Sequence, residues 1–310
     1  MIEASVGAPV VAGGVGCCVM MTTRNWSPRL RLIDVSEVTI AVWDWEGDDP
    51  PILLVHAAGL HGRCWDQVIA ALSSHRRVIT VDCRGHGHSD VPAPPYNWSV
   101  LAADLVEVLH EMALHGIIGV GHSMGGHLVA RAAAAVPAHF DRLLLLDPAI
   151  VPPELLQLIE AARDRIPPVR RRSRWASPEE MAAHLATRDA FSRWDQRALD
   201  DYCRFGLRPA TNGDGFELAC PPSVETAIYI GQAEPDIYDC VRSIEMPVTV
   251  VRCRERPEGA LISDFSYSPT WPDLVRALPR ATEQHMSEAR HFFPMEDPKL
   301  GAAVIEAASA

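Results

Sequence analysis

The stretch that most constrains this chain is Ile117-Ile118-Gly119-Val120-Gly121-His122-Ser123-Met124-Gly125-Gly126-His127. It opens as a short apolar run and passes without a loop into the Ala-rich sequence from Leu128 to Val136. The first part reads as a buried strand and the second as a helix. A strand that turns straight into a helix forces the turn residue into strained backbone geometry. Small residues two positions to either side let helix and strands approach. Ser123 would then stand at the carboxyl edge of a sheet, in front of a helix N-terminus, where a nucleophile can sit. Gly-x-Ser-x-Gly alone is a weak signal. The strand before it and the helix after it are the context it requires.

The rest of the chain supplies a matching rhythm. Leu30–Val35 and Val38–Trp45 read as two strands paired antiparallel at a sheet edge. Pro51–His56 is a continuous apolar strand of the kind buried on both faces, followed by the loop Ala57–Gly62 and a helix from Asp66 to Leu72. Arg77–Val81 is a further strand, and Trp98–His110 an amphipathic helix. Leu143–Leu146, Val248–Cys253 and Thr282–His285 continue the strands, with helices expected at Thr270–Leu278 and Pro298–Ala307. Strands alternating with helices predict an α/β fold: a mostly parallel sheet with helices on both faces. Residues 151–240 interrupt the rhythm with Pro-punctuated, helical, Arg- and Trp-rich sequence, and read as a helical cap inserted over the strand ends. The expected organisation is a core of 25–150 and 241–310, a cap of 151–240, and a disordered extension over 1–24. That extension is Gly-, Ala- and Val-rich and lacks the basic start of a signal peptide. Met20-Met21 look like a natural beginning, with an upstream start codon.

Composition bounds the partners. A net charge of −12 argues against a nucleic-acid surface, and no segment has the length of a membrane span. Eight cysteines without a C-x-x-C pair read as buried free thiols of a cytoplasmic protein. Composition leaves a small molecule as the expected partner, with no nucleic acid and no membrane. A homodimer stays open.

A serine hydroxyl needs a base to take its proton, and the base needs an acid to hold its tautomer. In this architecture the partners follow as Ser, acid, His. Three histidines lie downstream of the Ser123 helix: His184 in the cap, His285 at the end of the last strand, and His291 in the loop after it. A loop after the last strand can carry an imidazole over the sheet edge, so His291 is the expected base. The residues alone leave the acid open among Glu255, Glu258, Asp264 and Asp147. The oxyanion hole would use the backbone N–H groups of Met124, at the helix start, and Ala58, in the loop after the His56 strand. His56, His61, His86 and His88 could suggest a metal, but no Cys or carboxylate completes a familiar ligand spacing. No metal and no cofactor are expected.

Together, His56-Ala57-Ala58-Gly59, Asp82-Cys83-Arg84-Gly85-His86-Gly87-His88-Ser89, Gly121-His122-Ser123-Met124-Gly125-Gly126 and His291-Phe292-Phe293-Pro294 resemble the α/β-hydrolase superfamily, in its esterase/lipase-like form with a helical cap. The resemblance runs from about residue 30 to the end, less the cap, and departs in two places. Ala57 stands where the family usually has Gly, and Arg256 stands where it usually has an acid after the strand ending at Cys253. Reading Arg254–Ser263 as an insertion, the resemblance places the acid at Asp264, with Glu258 and Asp147 as alternatives, Asp147 because some relatives carry the acid on the preceding strand. It implies a serine hydrolase that cleaves carboxylic esters through an acyl-enzyme. Ser rather than Asp at the elbow separates the chain from dehalogenases and epoxide hydrolases of this fold. A cap bearing Trp and Arg would suit an aromatic or anionic monoester, and the whole resembles the monoalkyl-phthalate hydrolases of this superfamily. The alternatives are a C–C bond hydrolase acting on ring-opened aromatic dienoates, and a ligand-binding protein that has kept the fold without catalysis.

Overall fold

The computed structural model describes residues 27–211, 213–261 and 264–309. The expected extension over 1–24 lies outside them. The elements follow the order β1 (Arg29–Val35), β2 (Val38–Trp45), β3 (Asp48–Val55), α1 (Asp66–Ala71), β4 (Arg76–Asp82), α2 (Trp98–Glu111), β5 (Ile117–His122), α3 (Met124–Ala135) and β6 (Phe140–Leu146). Next come α4 (Pro153–Ala162), β7 (Arg174–Trp175), α5 (Pro178–Leu185), α6 (Gln196–Phe205), β8 (Leu207–Pro209), β9 (Phe216–Leu218), α7 (Pro222–Ile230) and α8 (Ile237–Arg242). The chain closes with β10 (Val248–Arg252), α9 (Leu274–Ala277), β11 (Ala281–His285), α10 (Phe293–Glu296) and α11 (Pro298–Ser309).

Eight strands form one sheet in the order β1-β2-β4-β3-β5-β6-β10-β11. From β4 to β11 every pairing is parallel, while β2 runs antiparallel to both β1 and β4 at the edge. The central strands carry apolar residues at consecutive positions because both faces are covered. In β3, Leu53 and Val55 join one core cluster with α2 and α3, and Ile52 and Leu54 join the other with α1 and α11. This is the two-residue side-chain period of a strand with two buried faces.

The chain leaves β3 for β4 on one side and then passes over β3 to β5 on the other. The strand order therefore reverses between β3 and β5, and the loops after these strands open a crevice at the carboxyl edge, where open α/β sheets bind ligands. Those loops hold Ala57–His61 and Ser123. The segment between β6 and β10 lies over the same edge. A Cβ at Gly59, after β3, would meet Glu225 of α7, and one at Gly85, after β4, would meet Val224 of the same helix. From α6, the Tyr202 carbonyl accepts from His61 Nε2 at 3.0 Å.

Two expectations change in detail. The inserted segment is not helical throughout: β7, β9 and β8 form a three-stranded antiparallel sheet between its helices. The helix expected over Thr270–Leu278 shrinks to α9, because Thr270 is drawn off by hydrogen bonds from its hydroxyl to the Pro148 carbonyl at 2.8 Å and to Asp147 at 3.2 Å.

Candidate active site

Ser123 sits between β5 and α3 at φ 55°, ψ −117°, a conformation that costs a non-glycine residue roughly 1–3 kcal/mol. Surrounding hydrogen bonds fix it there. Its N–H donates to the Leu146 carbonyl at 3.1 Å, and its own carbonyl accepts from the N–H groups of Gly126 at 3.1 Å and Ala149 at 2.9 Å. The flanking glycines are steric requirements. A Cβ at Gly121 would stand 2.2 Å from the Gly125 carbonyl oxygen, and one at Gly125 would stand 2.1 Å from that of Val55. The turn closes only with hydrogen at both positions, which is the physical content of the Gly-x-Ser-x-Gly spacing.

The Ser123 hydroxyl lies 2.9 Å from His291 Nε2, and His291 Nδ1 lies 2.6 Å from Asp147 Oδ2. A carboxylate only accepts, so Nδ1 carries the proton and Nε2 faces the hydroxyl as acceptor. His291 is 1% exposed and Asp147 is fully buried. The second carboxylate oxygen of Asp147 accepts from the Cys253 N–H at 3.0 Å and from the hydroxyls of Ser268 at 2.5 Å and Thr270 at 3.2 Å. Burial works to raise the Asp147 carboxyl. The bond and charge of His291, with the Cys253 and Ser268 donors, outweigh burial and hold it below the ordinary carboxylate range.

The carboxylate that meets His291 is therefore Asp147 and not the expected Asp264. The Asp264 carboxylate turns back on its own loop and accepts from the Ser266 N–H at 2.9 Å. Glu255 and Glu258 are exposed. Asp147 follows directly on β6, at φ 45°, with its N–H still bonded to the Val251 carbonyl of β10 at 2.7 Å. From there its side chain reaches across the end of β10. The carboxylate thus arrives above β10 from the neighbouring strand, and Arg256 need not supply it.

The other downstream histidines lie elsewhere. His285 is exposed at the end of β11, and His184 packs on Trp175 with rings 5.2 Å apart. His122, the residue before Ser123, belongs to the same cluster although its sequence position gave it no role. Its Nε2–H donates to the His291 carbonyl at 2.8 Å, tying the end of β5 to the histidine loop. Burial, with His291 close by, pushes His122 down to about 3, so it stays neutral. Ser268 and Thr270 were also missed. No sequence pattern marks two hydroxyls in a loop as ligands of a distant carboxylate.

Of the two expected oxyanion donors, Met124 opens α3, where the first N–H groups have no partner within the helix. Ala58 lies in a loop braced by two buried imidazoles. His56 accepts from the Cys83 N–H at 3.0 Å and donates to the Ala57 carbonyl at 2.8 Å, and His86 accepts from the Gly59 N–H at 3.0 Å. Burial lowers His56 to about 4 and holds His86 well below the ordinary imidazole range. These histidines and His61 are occupied as neutral hydrogen-bonding groups of the turns. No group of three or more His, Cys, Asp or Glu suited to a metal occurs among the described residues.

The model of the alpha/beta hydrolase family matches residues 52–304. The chain belongs to the alpha/beta hydrolase family. It is similar to the sn-1-specific diacylglycerol lipase ABHD11 of Danio rerio, 30% identical over 288 residues that cover 89% of this chain and 83% of that protein. An uncharacterized protein of Mycobacterium tuberculosis is 35% identical over 100 residues, 32% of this chain and 29% of its own length. The chain therefore spans under a third of that relative. Among solved structures, E-2-(acetamidomethylene)succinate hydrolase superposes with a TM-score of 0.73 at 22% identity, covering 91% of this chain and 99% of that one, a likeness of fold. Among the described residues no helix is long and apolar enough to cross a membrane, and the six cysteines placed there, Cys64, Cys83, Cys203, Cys220, Cys240 and Cys253, are free thiols.

Proposed function

We propose that the protein is a serine hydrolase that cleaves carboxylic esters of small molecules through an acyl-enzyme. The unbroken chain from the Ser123 hydroxyl through His291 to the buried Asp147 carries this reading. Ser123 Oγ attacks the acyl carbon as His291 Nε2 takes its proton, and Asp147 steadies the imidazolium that forms. The N–H groups of Met124 and Ala58 donate to the oxyanion. On collapse, His291 returns the proton to the leaving alcohol. Water, activated by the same imidazole, then releases the acid. No cofactor enters any step.

The lipase relative that covers most of this chain supports ester chemistry. The test is a panel of p-nitrophenyl esters followed through the first turnover. The expected result is a burst of nitrophenolate equal to the enzyme concentration or steady turnover, lost in Ser123→Ala. Full activity in Ser123→Ala would overturn the mechanism.

A further inference from the structure

The loop after β10 was the expected source of the acid. It meets His291 in another way. The His291 N–H donates to the Phe265 carbonyl at 3.3 Å. Arg290 Nη2, one residue earlier, donates to the Ser266 hydroxyl at 2.9 Å. The Phe265 ring packs on Phe292 with centroids 5.1 Å apart. The same ring lies against the His291 imidazole itself, 5.8 Å between centroids and 17° from parallel. From this loop the Ser268 hydroxyl also reaches Asp147 at 2.5 Å. One short segment thus holds His291 by its backbone and its ring, and holds Asp147 by a hydroxyl.

The near-parallel ring has an electrostatic consequence. A phenyl face is negative, and a cation within about 6 Å of its centroid is attracted to it, more strongly where water is excluded. His291 is buried, so an aromatic ring borders it where solvent otherwise would. When the imidazole takes a proton, its charge spreads over the whole ring. Asp147 meets that charge in the ring plane, at Nδ1. Phe265 meets it from a face. The other titratable neighbours add little charge of their own. His122 at the end of β5 and His56 after β3 are held neutral by burial, and burial pushes the Cys253 thiol up. Arg290 pairs with Glu296 at 3.7 Å, Arg256 donates to the Leu261 carbonyl, and Asp264 accepts from the Ser266 N–H.

Resting on the hydrolase reading above, we propose that Phe265 is a positioning residue for His291, and that its ring face stabilises the imidazolium formed in each transition state. It acts on the charge of the base and not on the substrate. This differs in sign from a plain cover. A side chain that only keeps water away disfavours the charged imidazole, whereas a π face favours it.

The test follows kcat/KM for p-nitrophenyl acetate and butyrate from about pH 5 to about pH 9, where the acid limb reports the base of the free enzyme. Phe265→Leu keeps an apolar cover and loses the π face. Its acid limb should move down by about 0.4–0.7 of a pH unit, and its plateau should fall about two- to fivefold, by the same factor on both esters. Phe265→Tyr keeps the ring and should hold both the limb and the plateau close to wild type. Phe265→Met is the second apolar variant if Phe265→Leu does not fold, as judged by circular dichroism. An acid limb that stays in place or moves up in the folded apolar variant overturns the proposal and leaves Phe265 a cover at most. A loss that differs between the two esters overturns it in favour of a pocket wall, and a folded Phe265→Tyr no better than Phe265→Leu also overturns it. A folded wild type with no turnover and no fluorophosphonate label on Ser123 would instead refute the hydrolase reading, and this proposal with it.

Discussion

Replacing Asp147 by Asn should separate the acid seen in the structure from the one the loop after β10 suggested. The asparagine side chain is nearly the same shape, but only its oxygen can accept. Three donors, the Cys253 N–H and the hydroxyls of Ser268 and Thr270, already converge on one of the two acceptor positions. The amide oxygen therefore stays with them, and the NH2 group is turned towards His291 Nδ1. Nδ1 must then become the acceptor, which moves the imidazole proton to Nε2. The nitrogen 2.9 Å from the Ser123 hydroxyl carries hydrogen and cannot take another proton. Loss of the correct tautomer should lower kcat by about 10³–10⁴, or roughly 4–5.5 kcal/mol in the barrier, with KM little changed. The Asp264 carboxylate caps its own loop, and Asp264→Asn should stay within about twofold. The assay is steady-state hydrolysis of the best p-nitrophenyl ester by wild type and both variants, with circular dichroism to confirm folding. A folded D147N retaining more than about a tenth of wild-type kcat, or a D264N more damaged than D147N, would refute the reasoning.

Three further outcomes are expected. His122→Ala removes the donor to the His291 carbonyl and should lower kcat about ten- to a hundredfold with little change in KM; an effect on KM alone would mean that His122 does not position the base. Gly125→Ala places a methyl 2.1 Å from the Val55 carbonyl oxygen and should cost at least about 2–3 kcal/mol of stability by urea unfolding; a neutral result would mean that the elbow is looser than described. Buried His56 and His61 are lowered to about 4 and His122 and His127 to about 3, so all four stay neutral in the fold while the unfolded chain protonates near pH 6.5. The unfolded state binds more protons below that pH, so stability should fall steadily from pH 6.5 towards pH 4; unfolding free energies that stay flat between pH 7 and 5 would contradict this.

The legible parts of this chain were those in which one local rule decides. Consecutive apolar residues in β3, β5 and β6 follow from burial on two faces, and Gly121-x-Ser123-x-Gly125 follows from a close approach that a single methyl would prevent. Ser123 and His291 could be read because each lies at the end of a strand or in the loop behind it. The acid resisted because its position depends on reach between strands. Asp147 leaves β6 and serves the space above β10, and a position counted along the chain from β10 cannot register that. The small sheet of β7, β9 and β8 escaped for a related reason. Its strands are two or three residues long and far apart in sequence, too short for any periodicity to show.

The central claim is that Ser123 is a nucleophile activated by His291 and Asp147. Incubating the protein with a fluorophosphonate, then counting the adduct by intact mass and locating it by peptide mapping, tests this most directly. The account predicts one adduct per chain, on Ser123, absent in Ser123→Ala and formed far more slowly in His291→Ala and Asp147→Asn. A folded protein that takes no label, or takes it with equal speed when His291 is gone, would contradict it.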